Sequence, residues 1–195
     1  MRSCWIQLGE YVIQKIGVIG AGQMGNGIAQ VAACAGYDVV MVDIKDEYVE
    51  KGLGTIQFSL GKLVSKERMS QEDADAALGR IETGTDRQAC AECDLVVEAV
   101  PEILELKTSI FSELDSICKP ETILASNTSS ISITTIAEST NRPDKVIGMH
   151  FMNPVPIMKL VEVINGGQTS SETNSAVNEA AEKMGKIALS CNDAP

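Results

Sequence analysis

Aromatic side chains, histidine, long apolar runs and basic blocks are all scarce in this sequence, and each shortage narrows its reading. Phe, Trp and Tyr together make up 4% of 195 residues, so the core has to be built from Val, Ile, Leu, Ala and Met, as in parallel sheets covered by helices. No stretch approaches the roughly 18 apolar residues that suggest a membrane span. Lys and Arg number 16 against 27 Asp and Glu, a formal net charge of −11, which argues against nucleic acid or an anionic membrane as the main partner. Met1 to Gln14 carries one Arg, one Glu and no long apolar centre; it does not read as a secretory signal and is taken as an N-terminal extension, 1–14. What is present is ordinary: 44% hydrophobic and 22% charged residues supply a real core and exclude disorder. The length fits one large domain, or one domain with part of a second.

Cys4, Cys34, Cys90, Cys93, Cys118 and Cys191 are scattered through a chain too long to need disulfide staples, so a reducing, cytoplasmic compartment is expected. Cys90 and Cys93 have C-x-x-C spacing. With no second pair and the only histidine far along the chain, they read as two neighbouring thiols, and no metal site is expected.

Lys15 to Ile19 is a β-branched run that stops at glycine. Met24 to Ala35 is rich in small and apolar residues and ends at Gly36, a helix stop. Asp38 to Val42 is a second buried strand that ends at Asp43, which completes a βαβ unit. From Glu47 to Ser65, Val49, Leu53, Ile56, Leu60, Leu63 and Val64 recur at helical steps. Ser70 with Asp73 resembles a capping box for a short helix through Leu78. These two helices look inserted after the second strand. Alternation then resumes: strands at 81–83, 95–98, 122–125, 146–149, 160–163 and 187–190, and helices near Ala89 and at 103–117, 132–137 and 171–184. The pattern predicts an α/β fold, a Rossmann-type, doubly wound and mostly parallel sheet spanning 15–195. The loop-like residues 192–195 after the last strand look like a domain boundary.

Gly20-Ala-Gly22-Gln23-Met24-Gly25 matches G-x-G-x-x-G between a strand and a helix. Gly20 can make the tight turn, Gly22 lets backbone approach a pyrophosphate, and Gly25 lets the helix lie close to the sheet. The new helix aims free N–H groups and its positive dipole end at the phosphates. Asp43, at the end of the second strand, can accept hydrogen bonds from a ribose hydroxyl pair and would repel a 2′-phosphate, which favours NAD over NADP.

His150 stands at the carboxyl end of a predicted strand, where ligands gather in open α/β sheets. Phe151-Met-Asn153-Pro-Val-Pro156 follows, with two prolines to stiffen a loop close to the dinucleotide. Glu162 lies on the next predicted strand, and the two side chains can meet if the intervening loop folds back. Such a carboxylate fixes the imidazole tautomer and raises the basicity of the other ring nitrogen, giving a general base tuned near neutrality. A histidine held by a backbone carbonyl and a surface glutamate remain the alternative. Ser126-Asn-Thr-Ser129-Ser130 follows another strand and can hydrogen-bond a substrate or cap the next helix. Glu98, Glu102 and Lys107 can face cofactor or water.

With these pieces in place the sequence resembles the L-3-hydroxyacyl-CoA dehydrogenase family, closest to its short-chain 3-hydroxybutyryl-CoA branch. The resemblance runs from Lys15 to Pro195 and rests on Lys15-Ile-Gly-Val-Ile-Gly-Ala-Gly-Gln-Met-Gly25, Asp94-Leu-Val-Val-Glu-Ala99, Ala125-Ser-Asn-Thr-Ser-Ser130, Met149-His-Phe-Met-Asn-Pro-Val-Pro156 and Met158-Lys-Leu-Val-Glu162. It implies NAD-dependent oxidation of the 3-hydroxyl of an acyl-CoA, with His150 and Glu162 as the catalytic pair and Ser129 on the reacting oxygen and against the cofactor. By the same match Asn153, Glu102 and Lys107 lie along the NAD site, and Ser59 and Lys66 meet the CoA moiety.

Members of the family continue after Asp-Ala-Pro into an all-helical domain, which this sequence lacks; a homo-oligomer, or a chain supplying that domain, is therefore an expected partner beside acyl-CoA. A gulonate-type dehydrogenase of a free hydroxyacid and a crystallin-like module that keeps the fold without the chemistry are the rival expectations.

Overall fold

The computed structural model describes residues 12–193. Most of the expected extension, residues 1–11, lies outside the described residues, while Ile13 is buried in the core. The chain runs β1 (Lys15–Ile19), α1 (Gln23–Cys34), β2 (Asp38–Val42), α2 (Asp46–Ser65), α3 (Gln71–Gly79), β3 (Ile81–Gly84) and β4 (Leu95–Glu98). Then come α4 (Leu104–Ile117), β5 (Ile123–Ser126), α5 (Ile133–Ala137), β6 (Val146–Phe151), β7 (Leu160–Asn165), α6 (Ser171–Lys183) and β8 (Ile187–Asn192). Short 3-10 turns occupy Arg87–Cys90 and Pro143–Lys145.

One eight-stranded sheet results, in the order β3-β2-β1-β4-β5-β6-β7-β8. Its central strands are apolar through their interiors, with polar residues only at their ends, because both faces are covered. Ile16, Val18, Val39, Met41, Leu95 and Val97 point to the face packed by α1, α2, α3 and α6. Ile19, Val40, Val42, Val96 and Leu124 point to the face packed by α4 and α5, around Phe111 and Leu114. On that second face Gly17 leaves room for two thiols, since a Cβ there would lie 2.9 Å from Cys90 Sγ and 3.3 Å from Cys93 Sγ. A hydrogen bond with Cys90, with burial added, pushes the Cys93 thiol far above its ordinary range, and both thiols are buried in this half of the core.

The helix boundaries follow the local signals. Ser70 Oγ accepts from the N–H of Asp73 at 3.0 Å and donates to its carboxylate at 2.7 Å, which starts α3. The inserted pair α2 and α3 lies between β2 and β3. Two features differ from the sequence pattern. β7 runs antiparallel to β6, whereas the other pairings are parallel. β6 also continues two residues past the expected end at Met149. Its pairing with β5 stops at Gly148, but its ladder with β7 carries on through His150 and Phe151. His150 is thus held inside a strand rather than after one.

Candidate active site and dinucleotide cradle

The first turn is built by close approach. Gly20 has φ of 100°, in the region only glycine occupies easily, and its N–H donates to Val42 O at 2.7 Å. At Gly25 a Cβ would lie 1.7 Å from Gly20 O, whereas at Gly22 a Cβ would meet nothing within 4 Å. The turn is therefore tight beneath and open above. α1 starts at Gln23 with Gly22 as its cap, no side chain on its first N–H groups and no acid in its first turn, which leaves those donors and the dipole's positive end for an anion.

Beside the turn lies a cavity of about 980 Å³, lined among others by Gly22, Asp43, Tyr48, Lys51, Arg87 and Val100. Asp43 Oδ2 accepts from the N–H of Ala21 at 2.7 Å and Oδ1 from the N–H of Ile44 at 2.7 Å. The carboxylate therefore braces the glycine turn and still faces the cavity. Each oxygen keeps a lone pair for a hydroxyl donor.

A buried polar network stands under the next strand ends. Glu98, at the end of β4, accepts from Lys107 Nζ at 2.7 Å and from the N–H of Val100 at 2.7 Å on Oε1, and from Ser126 Oγ at 2.6 Å on Oε2. Lys107 on α4 also meets Glu102 Oε2 at 3.2 Å. Glu102 in turn accepts from Thr128 Oγ1, from the N–H of Ser129 at 3.0 Å and from Ser130 Oγ at 3.2 Å. Burial pushes the Glu102 carboxyl up, but the Thr128 bond, the Lys107 charge and the Ser129 N–H outweigh it and hold it below the usual range. Glu102 and Lys107 thus shape the loop that carries Ser129, with Lys107 fully buried and Glu102 partly exposed.

His150 and Glu162 are directly opposite each other in the β6–β7 ladder, and His150 Nδ1 lies 2.8 Å from Glu162 Oε2. Both side chains are partly open to solvent. Opposed side chains on neighbouring strands share a face, so strand register brings the pair together. Asn127 ties this end of the sheet to the Ser129 loop: its Oδ1 accepts from the N–H of Phe151 at 2.8 Å and its own N–H donates to Glu98 O at 2.8 Å. Across the loop after β6, Gln23 Nε2 donates to Asn153 Oδ1 at 3.2 Å, which joins the glycine turn to the histidine side. Met24 is partly buried against the core. Ser59 is half-buried on α2, and Lys66, which ends that helix, is exposed; both lie apart from the network around His150, Ser129 and Glu98.

Glu98 and Asn127 are central here, although the sequence leaves Glu98 facing cofactor or water and gives Asn127 only as one of the short polar residues 126–130. An acid inside an apolar Leu-Val-Val-Glu run, with a lysine nine residues on, is the one signal of a buried pair. Nothing in the sequence marks Asn127 as a bracket.

The family model for 3-hydroxyacyl-CoA dehydrogenase, NAD binding domain, matches residues 15–194. The chain belongs to this family. It is 58% identical over 181 residues to a probable 3-hydroxybutyryl-CoA dehydrogenase of Deinococcus radiodurans, covering 93% of this chain and 65% of that protein. It is 42% identical over 192 residues to human mitochondrial hydroxyacyl-coenzyme A dehydrogenase, covering 95% of this chain and 61% of that protein. The crystal structure of (S)-3-hydroxybutyryl-CoA dehydrogenase from Ralstonia eutropha superposes with a TM-score of 0.93 at 46% identity, over 94% of this chain and 65% of that one. The chain therefore spans less than two thirds of these relatives' length. NAD is the dinucleotide of this family, and the cradle fits it: open space over Gly22, uncapped N–H groups and the Asp43 carboxylate on the cavity wall.

Proposed function

We propose that this chain is the cofactor-binding part of a dehydrogenase that oxidises the 3-hydroxyl of an L-3-hydroxyacyl-CoA, 3-hydroxybutyryl-CoA foremost, to the 3-ketoacyl-CoA. The observation that carries the reading is the His150–Glu162 contact, 2.8 Å, in the β6–β7 ladder, just before the loop whose Asn153 is reached by Gln23 of the glycine turn. With Nδ1 engaged by Glu162, Nε2 of His150 is the nitrogen left to take the hydroxyl proton. The C3–H electron pair leaves as hydride for NAD⁺ when it is bound, and the C3–O bond becomes the ketone. Glu162 stabilises the imidazolium that forms. Ser129, positioned through Glu102, donates to the reacting oxygen. Asn153, Glu102 and Lys107 line or support the NAD site, and Ser59 with Lys66 meets CoA, where a lysine suits phosphates.

Ile157, Met158, Ile187 and Leu189 are exposed large apolar residues at the β7–β8 edge, 74%, 41%, 62% and 54% accessible. Such a patch suits cover by a helical domain or a second chain, which would wall the acyl pocket and sharpen orientation. The described cysteines are free, which suits a reducing cytoplasm. No helix among the described residues is long and apolar enough to cross a membrane.

Reduction of acetoacetyl-CoA, with the helical partner domain added in trans, tests the reading. His150→Gln should lower turnover by about 10² to 10⁴ while NADH affinity holds within a few-fold. Equal loss of both would make His150 structural. Ser59→Ala with Lys66→Ala should raise KM for the acyl-CoA; an unchanged KM would favour a free hydroxyacid as substrate. NADH binding without turnover would favour the non-catalytic module.

A further inference from the structure

Lys186 is a buried cation that the proposed chemistry does not use. It stands between α6 and the start of β8, 8% exposed, and its Nζ donates to Val155 O at 2.5 Å and Met158 O at 2.9 Å. No carboxylate pairs with it among the described residues; burial alone acts on its titration and lowers it. A buried ammonium facing only carbonyls is costly, so the fold holds it for what it holds in turn. Its two acceptors belong to the loop between β6 and β7, the loop that follows His150 and carries Asn153. That loop is also held by a turn of its own and by α1 at two points. Pro154 O accepts from the N–H of Ile157 at 3.0 Å and of Met158 at 2.9 Å. Gln23 reaches Asn153 from the glycine turn. Val155 lies so close to α1 that a Cβ on Gly27 would be 2.8 Å from Val155 Cβ.

We propose that Lys186 is a positioning residue for the nicotinamide half of the dinucleotide, clamping the 153–158 loop against α1 from beneath so that Asn153 is presented beside the glycine turn. The inference rests on the reading that this loop borders the nicotinamide. Removing the ammonium leaves two carbonyls without a donor and frees the loop, while the cavity around Asp43 and Arg87, which takes the adenosine half, has no contact with Lys186.

The discriminating measurement compares two ligands on the whole chain: NADH, and ADP-ribose, which lacks the nicotinamide. Lys186→Met, similar in length but without donors, should weaken NADH by about tenfold, the value of a charge-assisted bond, and leave ADP-ribose unchanged. Amide exchange at Ile157 and Met158 should accelerate while β1 and β2 stay protected. Lys186→Arg, which keeps donors and charge, should recover most of the NADH affinity. Parallel loss of both ligands, or loss of neither, overturns the proposal. If Lys186→Met does not fold, amide exchange on the unmodified chain decides: NADH must protect residues 153–158 more than ADP-ribose does, and equal protection overturns the clamp. Failure of the unmodified chain to bind either ligand would instead sink the dinucleotide reading itself.

Discussion

Replacing Lys107 with methionine tests how much of this fold's stability rests on one buried charge pair. The side chains of Lys107 and Glu98 are 1% and 0% exposed and lie 2.7 Å apart. Truncating one partner of such a pair strands the other charge away from water, at about 3–5 kcal/mol. Glu98 would keep the Val100 N–H and the Ser126 hydroxyl, which places the expected loss near the lower bound, ~3 kcal/mol. For a chain of this size each kcal/mol moves the midpoint by about 2–4 °C, so Lys107→Met should melt roughly 6–12 °C lower. Urea unfolding followed by circular dichroism gives the free energy directly. The decisive comparison is Lys107→Met combined with Glu98→Gln, whose amide oxygen can still accept from the Val100 N–H and whose NH2 can donate to the Ser126 hydroxyl, which must turn to accept, while the stranded charge is removed. The double variant should be more stable than Lys107→Met alone, by about 1–2 kcal/mol. A double variant equal to or worse than the single would show that the uncompensated carboxylate is not the source of the loss, and would refute the argument.

Asp43→Asn should weaken NAD by about tenfold, one charged hydrogen-bond acceptor's worth, and narrow the discrimination against NADP; unchanged selectivity would remove the ribose assignment. Stability should also fall in acid. At Asp94 burial raises the carboxyl, but the Lys119 ammonium and the N–H groups of Lys15 and Gln14 outweigh it and hold it low. At Asp193 the bonds from Ser132 and Thr134 likewise outweigh burial. A carboxyl depressed in the folded state contributes stability above its unfolded value of about 3.9, and that contribution disappears as pH falls through the lower folded value. The unfolding free energy of Asp94→Asn should accordingly be lower than that of the unmodified chain at pH 7 and converge with it in strong acid. A constant gap across that range would mean that Asp94 acts through shape alone.

The central sheet is legible because the interiors of its strands are apolar and are bounded by polar residues or glycine; Lys15–Ile19, Asp38–Val42 and Leu95–Glu98 carry their boundaries in composition. The direction of a strand leaves no such trace. Leu160–Asn165 looks the same whether it runs with or against its neighbour, and His150 and Phe151, which join β6 only through their pairing with β7, carry no mark of it in composition. Long-range side-chain brackets were equally silent. Asn127, Glu98 and Lys186 act through partners 24, 28 and 31 residues away, distances at which neither periodicity nor capping patterns speak. Asp43 shows a third kind of gap. Its position predicted a ribose contact, while its hold on Ala21 depends on how tightly the glycine turn folds back.

The reversal of β7 has a further consequence for how this domain tolerates change. Because His150 and Glu162 face each other as rungs of one ladder, their separation inherits the stiffness of the sheet. Insertions in the connecting segment can alter the surroundings of the pair without changing the His150–Glu162 spacing, so that on the proposed reading selectivity and basicity evolve on separate parts of the chain.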